Sequence, residues 1–134
     1  MNNLVLSFEY TSLVTIVTIF ITLFFMFRTG SNRGKLKVFA PKTVGQDTWE
    51  RYFRVHCNTV EQMVIFLPAL WLAAVYSSDQ WAGGIGAVWL VGRLLYSYQY
   101  IKAPKSRGPG MLLTLLPTVI LAGIALFHIV KGMM

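Results

Sequence analysis

Arg51, Arg54, Asn58 and Glu61 recur at steps of three, four and three, which places all four on one face of a helix. Arg93, Tyr96 and Tyr100 recur at three and four and share a face of another helix. Arg107 stands directly before Gly108-Pro109-Gly110, where a further helix is expected to begin. Cations, one acid, an amide and two phenols form a donor and acceptor set for a small, charged, thiol-bearing ligand.

The elements that hold these residues are apolar. The chain has 134 residues, 55 % of them hydrophobic and only 13 % charged, which fits one domain over 1–134 in the integral membrane class. Membrane-length runs predict an all-α four-helix bundle with spans over 4–27, 48–76, 81–101 and 111–130. The first run has no basic residue before it and reads as a span rather than a cleavable signal. A basic loop is expected over 28–46, broken by Gly30, Gly34, Pro41 and Gly45, with Asp47 or Thr48 capping the second helix. Short connections follow at 77–80 and 103–110. Gly83, Gly84 and Gly86 are expected to let helices approach closely, and the Thr residues of the first span to bond their own helix or a neighbour. The single Cys57 excludes an intrachain disulfide, and no metal site is expected.

Net charge is +7, but its placement argues against nucleic acid. Arg28, Arg33, Lys35, Lys37 and Lys42 fall in the first connection and Lys102, Lys105 and Arg107 in the third, whereas the second connection and the N-terminal tail have no basic residue. This positive-inside asymmetry puts the first and third loops in the cytosol and both termini opposite, in a bacterial inner membrane or a eukaryotic endomembrane. Counting inward at 1.5 Å per residue sets Glu61 about 6 Å inside the inner boundary and Tyr96 near the same layer. An embedded charge costs about 2.5–3.5 kcal/mol on insertion scales, so Glu61 and Arg93 are expected to pair. Arg51 reads as a snorkelling helix-end cation, Tyr98 as an interfacial belt residue, His56 as a headgroup-level residue and Cys57 as filler.

The run Glu50-Arg-x-x-Arg-x-x-x-Asn-x-x-Glu61 followed by Phe66-Leu-Pro-Ala-Leu-Trp-Leu-Ala73 resembles the signature of the MAPEG family, membrane-associated proteins in eicosanoid and glutathione metabolism. The resemblance extends to Arg33-Gly-Lys-Leu-Lys-Val38, to Gly92-Arg-Leu-Leu-Tyr96 with Tyr100, and to Arg107. It implies a homotrimer with glutathione bound between neighbours in the inner leaflet. Glu61 would meet the glutathione amino group, and Arg54, Asn58, Arg93, Tyr96 and Tyr100 would hold the peptide. Arg33 would reach from the adjacent subunit. His56 stands where relatives usually carry glutamine and Gln62 where several carry tyrosine, and both keep hydrogen-bonding capacity. Gly34 replaces an arginine that some leukotriene-forming relatives use, which weakens a leukotriene-specific reading.

Arg107 would stabilise the glutathione thiolate for transfer to a lipophilic electrophile, a detoxification chemistry, or for reduction of a hydroperoxide. Two rivals stand beside this reading: a non-catalytic lipid-binding scaffold of the same family, and a small four-span multidrug exporter. The exporters place their membrane glutamate in the first span at mid-depth, unlike Glu61.

Overall fold

In the computed structural model, which describes residues 7–134, the order is α1 (Glu9–Lys35), α2 (Asp47–Tyr76), α3 (Asp79–Lys102), a 3₁₀ turn (Pro104–Ser106) and α4 (Gly108–Met133). Helices are the elements an apolar chain uses in lipid, because they satisfy their backbone internally, and no strand occurs among the described residues. Successive helices run antiparallel. α2 and α3 pack on each other and on both outer helices, while α1 and α4 scarcely meet. Three helices, α1, α2 and α4, are long and apolar enough to cross a membrane. α3 is not among them, although its 24 residues reach about 36 Å.

The start of the first expected span, residues 4–6, lies outside the described residues. Its other end is corrected: α1 continues through Gly30 and Gly34 to Lys35, so the first eight residues of the expected loop are helical. Tertiary contacts outweigh the two glycines. The Trp49 indole N–H donates to the Thr29 carbonyl at 2.9 Å, and the Arg28 guanidinium lies over the rings of Phe25 and Tyr52. A Schellman motif ends the helix, with Val38 N–H donating to Arg33 O and Lys37 N–H to Gly34 O. Lys37 takes the left-handed position at φ 56°, and Val38 is buried behind it.

The cap of α2 is Gln46, whose side-chain carbonyl accepts from Trp49 N–H at 2.8 Å, rather than Asp47 or Thr48. Glu50 reaches back to Gly45 N–H, a reciprocal arrangement like a capping box. α4 starts three residues before the expected Met111, with Pro109 in its first turn. Along α1 the hydroxyls of Thr15, Thr18 and Thr22 donate to carbonyls four residues back, and Thr15 also accepts from the Trp71 indole at 3.1 Å.

The apolar core fills the half of the bundle away from the basic loops. There Phe66 and Trp89 stack with centroids 4.0 Å apart, packed with Leu70, Ala73 and Leu121. Gly83 and Gly86 allow the close approach expected of them, a methyl on Gly83 falling 2.4 Å from Tyr10 Cβ, whereas Gly84 faces open space. Large apolar side chains such as Phe20, Phe24, Leu116 and Phe127 point outward, as lipid-facing residues do.

Candidate functional site

Arg93 is the centre of the polar half. It is fully buried, and its Nη1 donates to Asn58 Oδ1 at 2.9 Å and to Thr59 Oγ1 at 3.5 Å. Its Nη2 donates to Thr114 Oγ1 at 3.2 Å. The guanidinium also lies 4.3 Å from the Tyr96 ring centroid. One cation thus ties α2, α3 and α4 together at a single layer. The expected Glu61–Arg93 pair does not form: neutral oxygens and an aromatic face satisfy the arginine instead, and the ion pair among the described residues is Arg51–Asp47. Thr59 and Thr114 are the partners that sequence reasoning missed. Their signal was chemical, since a buried guanidinium is served by neutral acceptors as well as by acids.

From Arg93 the polar track runs toward the basic end. The rings of Tyr96 and Tyr100 sit 5.5 Å apart, and the Arg107 guanidinium lies 5.9 Å from the Tyr100 ring. Arg107 immediately precedes the first turn of α4 and is exposed, its Nη1 donating to Pro104 O at 2.8 Å. A glycine fixes this end of α4. A methyl on Gly110 would stand 2.4 Å from the Tyr96 amide nitrogen and 2.5 Å from its Cα, so the backbones of α3 and α4 touch there. Gly110 N–H donates to Gln99 Oε1. The first turn of α4 is thereby held against α3 beside the two tyrosines.

Arg54 and Glu61 are exposed on the flank of α2, with Asn58 half-buried between them. Tyr96 lies within electrostatic reach of Arg54 as well as of Arg93 and Arg107. Below this stripe the exposed face of α2 continues through Ile65, Pro68, Leu72 and Val75, apolar residues on the same side of the helix. His56 and Gln62 are half-buried, and His56 Nδ1 and Gln62 Oε1 have no hydrogen-bond partner among the described residues. Arg33 is engaged locally: its Nη1 donates to Val38 O and Lys42 O, both at 2.9 Å, and its guanidinium lies over Trp49. Arg51 is engaged within the chain and pairs with Asp47. It caps the C-terminus of α3 by donating to Ile101 O at 2.8 Å and Lys102 O at 3.2 Å, where a cation complements the helix dipole. No group of three or more metal-ligating side chains occurs among the described residues.

A helical membrane protein with a buried arginine hub, and an acid and two arginines left exposed around it, defines the class. The profile of the MAPEG family matches residues 11–127, and the chain belongs to that family. It is 40 % identical over 118 residues to an uncharacterized protein of Synechocystis sp., covering 88 % of this chain and 86 % of that one. It is 38 % identical over 92 residues to human microsomal glutathione S-transferase 2, covering 69 % of this chain and 63 % of the human protein. The mouse microsomal glutathione S-transferase 2 is 32 % identical over 107 residues, 76 % of this chain and 73 % of the relative.

Proposed function

We propose that the protein is a membrane-embedded glutathione transferase, a single-domain four-span subunit acting as a homotrimer. The observation that carries this reading is the Arg54–Asn58–Glu61 stripe, its two charged ends exposed, beside Tyr96, Tyr100 and Arg107. Charges on the flank of a span require cover by something other than lipid, and a neighbouring subunit with a zwitterionic tripeptide between them supplies it. Relatives named for glutathione transfer support the choice of ligand.

Glu61 then accepts the glutathione ammonium, while Arg54 and the partner subunit's Arg33 take its carboxylates. Asn58, Tyr96 and Tyr100 hydrogen-bond the peptide, with His56 and Gln62 offering their unpartnered atoms. Arg93 acts at one remove. Buried as it is, it positions Asn58 and Tyr96, and through them the ligand.

A thiol near pKa 8.5 is mostly protonated at neutral pH, and a neighbouring cation favours the thiolate. Each unit of depression corresponds to about 1.4 kcal/mol. Arg107 supplies the cation, and the adjoining N-terminus of α4 adds positive potential. The thiolate attacks the electrophilic carbon, forming a C–S bond. With chlorodinitrobenzene, chloride leaves with its electron pair and the thiol proton passes to water. The lipophilic partner arrives laterally through the bilayer, and a hydroperoxide is an alternative electrophile. The basic end faces the cytosol in this reading.

The deciding experiment is Arg107→Ala, with conjugation and glutathione binding measured in detergent. Turnover is expected to fall by about 10²–10³-fold, the loss typical of a group that stabilises developing charge, while glutathione affinity stays close to that of the parent. Unchanged turnover overturns the role of Arg107. Glutathione binding without any turnover by the parent protein would favour the scaffold, and no glutathione binding the exporter.

A further inference from the structure

A second polar feature lies in a groove of about 330 Å³ between α1 and α3, lined by Phe24, Arg28, Leu94, Ser97, Tyr98 and Lys102 among others. Leu94 and Tyr98 are exposed on α3, on faces other than the one that carries Arg93, Tyr96 and Tyr100 toward α2 and α4. The groove is therefore separate from the transferase site.

Its head is cationic and its body apolar. Arg28 is half-buried, yet aromatic faces rather than a carboxylate surround it: Tyr52 at 4.8 Å, Phe25 at 4.9 Å and Phe24 at 5.6 Å. Its Nη2 donates to Ser97 Oγ at 3.2 Å, so the guanidinium plane is fixed before any ligand arrives. Nε has no acceptor among the described residues. Lys102 stands on the other wall, its ammonium 5.8 Å from the Tyr98 ring. No acid lines the groove. Toward the middle of the bundle the seam continues over exposed apolar residues, including Phe20 and Val91.

We propose that this groove binds an anionic phospholipid of the leaflet at the basic end, its phosphodiester between Arg28 and Lys102 and an acyl chain along the α1–α3 seam. A planar guanidinium matches paired phosphate oxygens, and an ammonium adds a point charge. Basic pockets between membrane helices suit anionic headgroups. The apolar track selects lipid over a soluble anion, because a free phosphate has nothing to place along it. Arg28 already held in place lowers the ordering cost of binding.

The test is native mass spectrometry of the detergent-purified full chain, titrated separately with dioctanoyl phosphatidylglycerol, dioctanoyl phosphatidylcholine and inorganic phosphate. Phosphatidylglycerol is expected to bind about tenfold more tightly than phosphatidylcholine, and Lys102→Gln to weaken it about fivefold, the effect of one lysine near a charged lipid surface. Arg28→Gln is expected to weaken it further. Lys105→Gln, which removes the same charge outside the groove, should leave binding unchanged. Should Arg28→Gln fail to fold, the Lys102 and Lys105 pair still decides. Equal affinity for the two lipids overturns the proposal, as does equal weakening by the two lysine variants, which would mean a diffuse field. Displacement of phosphatidylglycerol by equimolar inorganic phosphate would reassign the head of the groove to a soluble anion. Disulfide cross-linking of Leu94→Cys between subunits would show that a second copy covers it.

Discussion

The two ends of the bundle use polar groups in opposite ways. At the end away from the basic loops, Asp79 is buried and spends both carboxylate oxygens inside the chain. It accepts from Tyr10 N–H at 3.0 Å and Thr11 N–H at 2.8 Å, and so caps α1 from the first turn of α3. Around it, glycine contacts and the Phe66–Trp89 stack close the structure. At the basic end Arg93 is just as buried, but the groups it orients lead outward to Tyr100, Arg107, Arg54 and Glu61, the last three exposed. At one end the buried charge is paired within the chain, and at the other charged groups are left exposed. Closed packing contributes stability, whereas charged groups left exposed along a span call for a partner other than lipid.

The contrast is broken most sharply by Gly110→Ala. The added methyl meets α3 backbone at 2.4–2.5 Å, which cannot rotate away, so the first turn of α4 and Arg107 must shift. A displacement of about 1 Å at a reacting centre costs on the order of 10²-fold in rate, and conjugation turnover is expected to drop by that much. Gly84→Ala, with nothing within 4 Å, should leave turnover unchanged and serves as the control. Equal rates for the two variants would mean that Gly110 does not set the position of Arg107.

At the other end the equivalent change acts on stability instead. Gly83→Ala drives a methyl to within 2.4 Å of Tyr10 Cβ and 3.1 Å of its carbonyl carbon, forcing α1 and α3 apart. Overpacking of this kind costs typically about 1–3 kcal/mol. The melting temperature in detergent should fall, while turnover per folded molecule stays near that of the parent. A loss of turnover with no loss of stability would reverse the assignment of the two ends.

Much of this division was legible in the chain itself. Span-length apolar runs located α2 to within a residue at either end, and the steps of three and four put Tyr96 and Tyr100 on one face, where their rings now sit 5.5 Å apart. What escaped were features set by partners distant in sequence. Gly30 and Gly34 signal a break locally, yet Trp49, from the next helix, contacts α1 on both sides of Gly30, at Thr29 and at Arg33. Gln46 is a weaker capping residue by type than the Asp47 beside it, but it is Gln46 that takes the extended conformation a cap requires. Arg93 suggested an acid because charge pairs with charge. In the folded chain its acceptors are an amide and two hydroxyls, arriving from α2 and α4, and no spacing rule within α3 identifies those.

The smallest expected effect concerns Asp79, which stands ahead of the apolar part of α3 that begins at Trp81. Burial raises its carboxyl pKa, and the hydrogen bonds from Thr11 and Tyr10 more than offset that, holding it below the ordinary carboxylate range. An acid whose folded pKa is depressed stabilises the fold above its unfolded value, about 3.9, and that contribution is lost as pH falls through the lower folded value. Asp79→Asn keeps the shape and removes the charge. At neutral pH it is expected to cost about 1 kcal/mol, the usual scale for a side-chain cap, read as a lower unfolding temperature in detergent. As pH falls below about 4, the gap between parent and variant should close, because protonation makes the two side chains alike. The other carboxylates titrate equally in both proteins and cancel from the difference. A gap that persists unchanged in acid would mean that shape, not charge, holds α1 to α3, and the self-contained end of the bundle would then owe nothing to its buried anion.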